Sequence, residues 1–328
     1  MIRRISYAQS INETFHQLME SDKRVFLIGQ GVTSPWYVGN TTVGLIDRFG
    51  PQRIIDTPVS ENGITGVAVG AALAAMRPVI VHPRMDFMYY AMDQIANQAA
   101  NWYYMFGGQV SVPLTIWAII NRGGEQAAQH SQSLQAMFAH IPGLKVVMPS
   151  NPYEAKGLLT ASIEDDNPVV YIDDRWLYND IGDVPEEKYA TPLGKGTIVR
   201  EGKDITLVAT SYMVTEAIKA ADSQGENMPD IEIIDPRSIK PLDESLLLES
   251  VKKTGRLIIA DAGWKTGGIG AELAALVAEK AFRHLKAPIV RVSLPDAPAP
   301  ASSVLEKAYY PDAGDIILSI KKILQRIP

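Results

Sequence analysis

The sequence contains no cysteine. That absence removes disulfides, thiolate nucleophiles and thiolate metal sites together. Basic residues are outnumbered, 31 Lys and Arg against 37 Asp and Glu, for a net charge of −6. No positive field is therefore present to attract nucleic acid or an anionic membrane. No apolar run approaches the ~20 residues of a membrane span. The start, Met1-Ile2-Arg3-Arg4-Ile5-Ser6, has a basic pair but lacks the apolar core of a signal peptide. Gly29-Gln30-Gly31 follows a strand-like run, but neither a third glycine nor a Lys-Ser/Thr pair comes after it, so it reads as a loop rather than a phosphate cradle. What is present is ordinary globular composition, 46% hydrophobic and 21% charged over 328 residues. That length fits two domains, and a cytoplasmic enzyme is the expectation.

Strand-like and helix-like stretches alternate along the chain. Apolar runs at 25–28, 53–56, 78–81, 112–120, 145–149 and 169–172 read as buried strands. Residues 5–22 read as a helix with Ile11, Phe15 and Leu18 on one face, 88–104 as a long helix, and a further helix is expected from near His130 to His140. Residues 181–196 are acidic and turn-rich and read as a linker. Beyond it the alternation resumes, with strands at 205–209, 231–235 and 257–261. The expected fold is α/β with two doubly wound domains, 1–180 and 197–328, and mostly parallel sheets.

One stretch stands out: Asp56-Thr57-Pro58-Val59-Ser60-Glu61-Asn62-Gly63-Ile64-Thr65-Gly66. A strand ends in a Thr-Pro turn, Ser60 is a capping candidate, and Glu61 opens a helix. Glycines 63, 66 and 70 cost helix propensity, which suggests that the helix backbone closely approaches something. Taken alone, Glu61 is a first-turn carboxylate that complements the helix dipole. The stretch, however, resembles the signature of the beta subunits of thiamine-diphosphate-dependent 2-oxo acid dehydrogenases, relatives of transketolase. Asp93-Gln94-Ile95-Ala96-Asn97-Gln98-Ala99-Ala100 and Ala128-Gln129-His130-Ser131-Gln132 match the same family, and the likeness spans nearly the whole chain.

The resemblance implies a transketolase-like pyrimidine-binding domain followed by a transketolase C-terminal-like domain. It implies that Glu61 hydrogen-bonds the aminopyrimidine of thiamine diphosphate, stabilising the imino tautomer that accepts the proton from the reactive carbon. It further implies that Phe87 stacks on that ring and that His130 serves the substrate end. The family's Gly-Asp-Gly motif for Mg²⁺ and the diphosphate has no counterpart in this sequence, so an alpha subunit is expected to supply it within an α₂β₂ assembly. The implied reaction converts a 2-oxo acid to an enamine and passes the acyl group to a lipoyl carrier, which brings a lipoyl-bearing acyltransferase as a further partner. Two alternatives stay open: a carboligase or transketolase-like subunit that gives a two-carbon unit to an aldehyde, ketone or sugar, and an inactive scaffolding subunit.

The sequence departs from the family pattern at several places. Gln30-Gly31 stands where acids are usual, and the loop from Val32 to Asn40 is atypical, as is Tyr171-Ile172-Asp173-Asp174-Arg175-Trp176. His82 and Arg84 replace acidic and small residues and are candidates to bind a carboxylate or phosphate on the substrate, or to pair with acids within the fold. The resemblance also suggests a potassium ion held near Leu114, Ser162, Asp165 and Asn167.

Overall fold

The chain is described by a computed structural model covering residues 1–34, 36–223 and 229–325. Fourteen strands are present among these residues: β1 (Ile2–Ser6), β2 (Val25–Gly29), β3 (Ile54–Asp56), β4 (Arg77–His82), β5 (Thr115–Ile120), β6 (Lys145–Val147), β7 (Val169–Asp174), β8 (Ile181–Pro185), β9 (Thr197–Arg200), β10 (Ile205–Ala209), β11 (Ile231–Asp235), β12 (Ser238–Lys240), β13 (Leu257–Trp264) and β14 (Val290–Leu294). They form a seven-stranded sheet in the order β12-β6-β7-β5-β4-β2-β3, a five-stranded sheet in the order β14-β13-β10-β11-β9, and a β1–β8 ribbon. Only β12 and β9 run antiparallel to their neighbours in the two large sheets. β2, β5 and β7 are buried at every residue, as expected for parallel strands covered on both faces, and this is why they read as unbroken apolar runs. The expected pair of α/β units is therefore the fold observed.

Several local expectations change. Residues 2–6 pair with β8, and the helix starts only at Tyr7 because Ser6 and Gln9 form a reciprocal capping box there. The segment read as linker thus begins as a strand. Ile181–Pro185 closes the ribbon, and the Lys156 ammonium binds the carbonyls of Pro185 and Glu186 at 2.8 and 3.1 Å. The expected 88–104 helix is broken into a 3₁₀ turn (Met85–Ala91), a π-helical turn (Asp93–Ala99) and one α-helical stretch (Ala100–Met105). The Asn101 amide donates to the Ala96 carbonyl, five residues back, at 2.9 Å, a contact that suits the widened turn. The helix expected from His130 starts at Gln135 instead. The segment before it is held by tertiary hydrogen bonds: the Gln132 N–H goes to Asp86 (3.2 Å), and Ser133 binds Arg122 and Gln135.

The two halves are stitched together. β12 belongs by sequence to the second half but joins the first sheet through β6. Beside it, Arg237 donates to Glu154 at 2.7 Å, and the buried Asp235 carboxylate accepts from Ser150.

Candidate active site

In an open parallel sheet, ligands bind beyond the carboxyl ends of the strands. Here the exits of β2, β3, β4, β5 and β7 form one mouth. The Asp56 carboxylate, at the end of β3, takes the backbone N–H of Gly31 (2.9 Å) and Thr33 (3.2 Å) and the Thr33 hydroxyl. It thereby ties the β2 exit loop to the β3 exit. Gly31 has φ +72°, and a Cβ there would lie 2.0 Å from the Tyr37 ring, so the loop needs glycine. Glu61 follows as the first residue of the Glu61–Leu73 helix. It is half-buried, and its carboxylate has no hydrogen-bond or ion partner among the described residues. Ser60 occupies the cap position, but its hydroxyl makes no capping bond. A Cβ on Gly66 would make only ordinary contact with the Gln94 side chain at 3.4 Å and one on Gly70 would face open space, so of the three glycines only Gly63, 3.0 Å from the Ser60 hydroxyl, is tightly approached.

Phe87 and His130 come together. Their rings meet edge to face with centroids 5.5 Å apart, although the residues sit on the exits of different strands. Asp86 lies next to them. Burial raises its pKa, while the Gln132 N–H and the nearby His130 pull it down.

His82 and Arg84 part ways. His82, the last residue of β4, is fully buried beneath the Glu61–Leu73 helix, where its Nε2 lies 3.4 Å from the Thr65 hydroxyl. Burial pushes its pKa down to about 4, so the ring is uncharged at neutral pH. The expectation that it binds a substrate anion as a cation is corrected: strand alternation points its side chain into the layer behind the mouth. Arg84 stays at the mouth, half-buried. It donates to the Pro83 carbonyl (2.7 Å) and lies over the Tyr37 ring at 5.8 Å, with Gln126 Oε1 at 3.5 Å.

Sequence reading did not foresee its neighbour Arg175, which donates to Asn121 Oδ1 (3.1 Å) and to the carbonyls of Trp36 (3.3 Å) and Tyr37. Burial first, and the nearby Arg175 charge second, lower the Arg84 pKa. The only sequence signal for Arg175 was the atypical end of β7. Asp56, Asp86, Asn121 and Gln126 were likewise not singled out, because each acts through a partner remote in the chain.

A second constellation lies behind the mouth. Arg122, just past β5, donates to Asp174 (2.6 Å), the Ala262 carbonyl (2.9 Å) and the Ser133 hydroxyl (2.8 Å), and it lies over the Tyr212 ring at 5.1 Å. Ser133 passes the chain to Gln135, and Gln135 to Asp261. The loop carrying His130 is thus anchored on the C-terminal domain.

At the suggested potassium turn, the Leu114 carbonyl accepts from Val169 N–H and the Ser162 carbonyl from the Thr115 hydroxyl. Arg77 binds the Asp165 carbonyl at 2.9 Å, and Lys145 pairs with the Asp165 carboxylate. Asn167 donates its N–H to that same carboxylate, and its buried side-chain oxygen has no partner. Two protein cations therefore already serve this turn.

The geometry can be set beside known proteins. The model of the transketolase pyrimidine-binding domain matches residues 3–180, and that of the transketolase C-terminal domain matches 194–316. The chain is 44% identical to acetoin:2,6-dichlorophenolindophenol oxidoreductase subunit beta of Bacillus subtilis (strain 168), covering 97% of this chain and 96% of that one. It is 41% identical to pyruvate dehydrogenase E1 component subunit beta of Rickettsia felis, covering 97% and 98%. Among solved structures, a split gene transketolase, an inactive beta4 tetramer, aligns with a TM-score of 0.81 over 99% of both chains at 21% identity, a likeness of fold. The chain belongs to the family of beta subunits of thiamine-diphosphate-dependent 2-oxo acid dehydrogenases, built on the transketolase fold.

Proposed function

We propose that this chain, together with an alpha subunit, decarboxylates a 2-oxo acid and passes the acyl group to a lipoyl carrier. The observation that carries this reading is Glu61: an unpartnered, half-buried carboxylate at the mouth of the first sheet, on a helix packed against the segment that bears Phe87. A carboxyl group left without a partner in its own chain fits a ring nitrogen that would share its proton. Bound thiamine diphosphate would supply the ionisable carbon and the electron sink. Glu61 would hold a proton at the aminopyrimidine, Phe87 would pack its ring on that heterocycle, and His130 would orient the substrate carboxylate or move a proton at the substrate end.

Among the described residues no cluster of three or more His, Asp or Glu could hold a metal. We assign the diphosphate and Mg²⁺ mainly to the alpha subunit, in an α₂β₂ assembly, because the Gly-Asp-Gly motif has no counterpart in this sequence. Exposed apolar surface supports a partner: Val59, Val67, Tyr90, Tyr104 and Met105 are each at least 56% exposed. Potassium has the weakest support, since Arg77 and Lys145 already stand at its turn. A cytoplasmic location is consistent with the absence, among the described residues, of any helix long and apolar enough to cross a membrane.

Calorimetric titration of thiamine diphosphate with Mg²⁺, into this chain alone and into the chain co-expressed with its alpha subunit, tests the half-site. Binding only in the mixture is expected. Tight binding to the isolated chain would overturn the assignment to a shared site. Turnover of 2-oxo acids with lipoyl or aldehyde acceptors then separates the dehydrogenase reading from the carboligase alternative, which the unpaired arginines of the mouth favour. Unchanged turnover in Glu61→Ala would return the scaffolding alternative.

A further inference from the structure

Arg84 and Arg175 lie near enough at the mouth for one charge to act on the other, and the hydrogen-bond partners of both are neutral among the described residues. They share a frame. Asn121 binds Arg175 through Oδ1 (3.1 Å) and Gln126 through its amide (2.8 Å), while Gln126 faces Arg84 (3.5 Å). On the other side, the Tyr37 ring lies under Arg84 and its carbonyl accepts from Arg175. The Nε atom of each arginine is buried without a partner. Of the nearby acids, Asp86 accepts the Gln132 N–H through Oδ1 and Asp173 accepts from Trp117 (3.0 Å) and Tyr178 (3.0 Å) through Oδ2; each keeps a second buried oxygen without a partner, yet neither forms an ion pair with the arginines. Two partly desolvated like charges whose hydrogen-bond partners are all neutral, with acids nearby but not in contact, are costly unless an anion completes them.

We propose that Arg84 and Arg175 form an oxyanion subsite for a remote phosphoryl or carboxylate group of the substrate or acceptor. Two guanidinium forks suit the planar, bidentate recognition of such oxygens. The subsite adjoins the reacting centre: the Phe87 N–H bonds the Arg84 carbonyl at 3.1 Å, and Gln126 lies on the loop that carries His130. The inference rests on the shared thiamine site for its link to a substrate, but the anion site itself stands without the cofactor.

The test is calorimetric titration of the full chain, without cofactor, with inorganic phosphate and separately with succinate at constant ionic strength. Saturable binding is expected, weakened at least ~10-fold by either Arg84→Gln or Arg175→Gln and partly retained in Arg84→Lys. Phosphate alone binding assigns a phosphoryl-bearing compound, and succinate alone a dicarboxylic one. Melting temperature gives a second readout. Without anion, Arg84→Gln, which gives up only the bond to the adjacent Pro83 carbonyl and the long contact with Gln126, should melt at or above wild type because a like charge is removed; a merely structural arginine would lower it. Absence of saturable binding to wild type, or unchanged affinity in both Gln variants, overturns the proposal. Thiamine diphosphate binding in the co-expressed complex is measured separately, so either reading can fail while the other holds.

Discussion

Arg122 and Arg175 leave adjacent strands of one sheet and meet opposite conditions. Arg122 is sealed against Asp174 and the C-terminal domain, with both side chains of the pair at most 1% exposed. Arg175, the very next residue after Asp174, turns the other way and finds carbonyls and an amide but no acid. The seam between the domains has its charge satisfied and the mouth does not. A fold that can pair an arginine so completely at one place, and leaves two without a counter-charge at neighbouring strand exits, has its unmet electrostatic demand at the mouth of the sheet.

The mouth is the place to break this contrast first. Glu61→Ala in the assembled enzyme should cost about 10²- to 10⁴-fold in turnover, the usual worth of a placed acid. The melting temperature of the chain should hardly move, because Glu61 has no partner within it. Steady-state kinetics beside thermal melts would show both. A variant that lost stability as much as turnover would make Glu61 a part of the frame instead.

The seam should behave in reverse. Arg122→Met leaves Asp174 buried without its counter-charge, a change that costs about 3–5 kcal/mol in folding stability. Arg122→Met with Asp174→Leu should recover much of that loss, since neither charge remains. Denaturant unfolding of the three variants measures it. A single-variant loss below about 1 kcal/mol would mean that the seam pair is as dispensable as a surface pair.

Asp173 stands between the two regions, one residue from the sealed pair and within reach of the Arg175 charge. Burial raises its pKa to about 7, against the donated bonds of Trp117 and Tyr178. An unfolded aspartate ionises near pH 4. Between those values the folded chain holds a proton that the unfolded chain has lost, so stability falls as pH rises from about 4 to about 7. Buried Asp235, also raised to about 7, adds to the fall in wild type and variant alike. His82, depressed to about 4, opposes it below the ordinary histidine value, again in both. Asp173→Asn should therefore gain on wild type by about 2–3 kcal/mol between pH 5 and pH 7. The difference in slope is the test, because the new amide hydrogens face a position where Asp173 Oδ1 has no partner, and that offsets the two curves by a constant. Parallel curves would show Asp173 ionised throughout.

What could be read from the sequence divides along the same line. Strands such as Thr115–Ile120 were legible because a strand buried on both faces must be apolar throughout. Glu61 was legible because strand, turn and helix start are local signals. The broken 85–105 segment was not, since its turns are set by side chains reaching back to carbonyls and by packing against the Glu61–Leu73 helix. His82 and Arg84 look equivalent in sequence, but His82 is the last residue of β4, buried and neutral beneath the Glu61–Leu73 helix, whereas Arg84 lies past Pro83 beyond the strand end and stays an open cation. Arg175 could join Arg84 only once β4 and β7 lay on either side of β5.

The smallest expected effect concerns the open side of the Glu61–Leu73 helix. Gly63, Val67 and Gly70 share an exposed face there, and a Cβ on Gly70 would meet nothing within 4 Å. In the isolated chain, Gly70→Ala should then stabilise by close to the helix-propensity difference, about 1 kcal/mol. If the alpha subunit packs its backbone on this face, the same methyl group must clash at the interface. The expected pattern is a higher melting temperature for the isolated chain together with weaker association with the alpha subunit, read by thermal melts and by sedimentation of the mixture. A variant stabilised in both settings would place the alpha contact elsewhere and leave Gly70 without a packing reason, whereas the opposed pattern would extend the contrast between sealed and open surfaces from charge to shape.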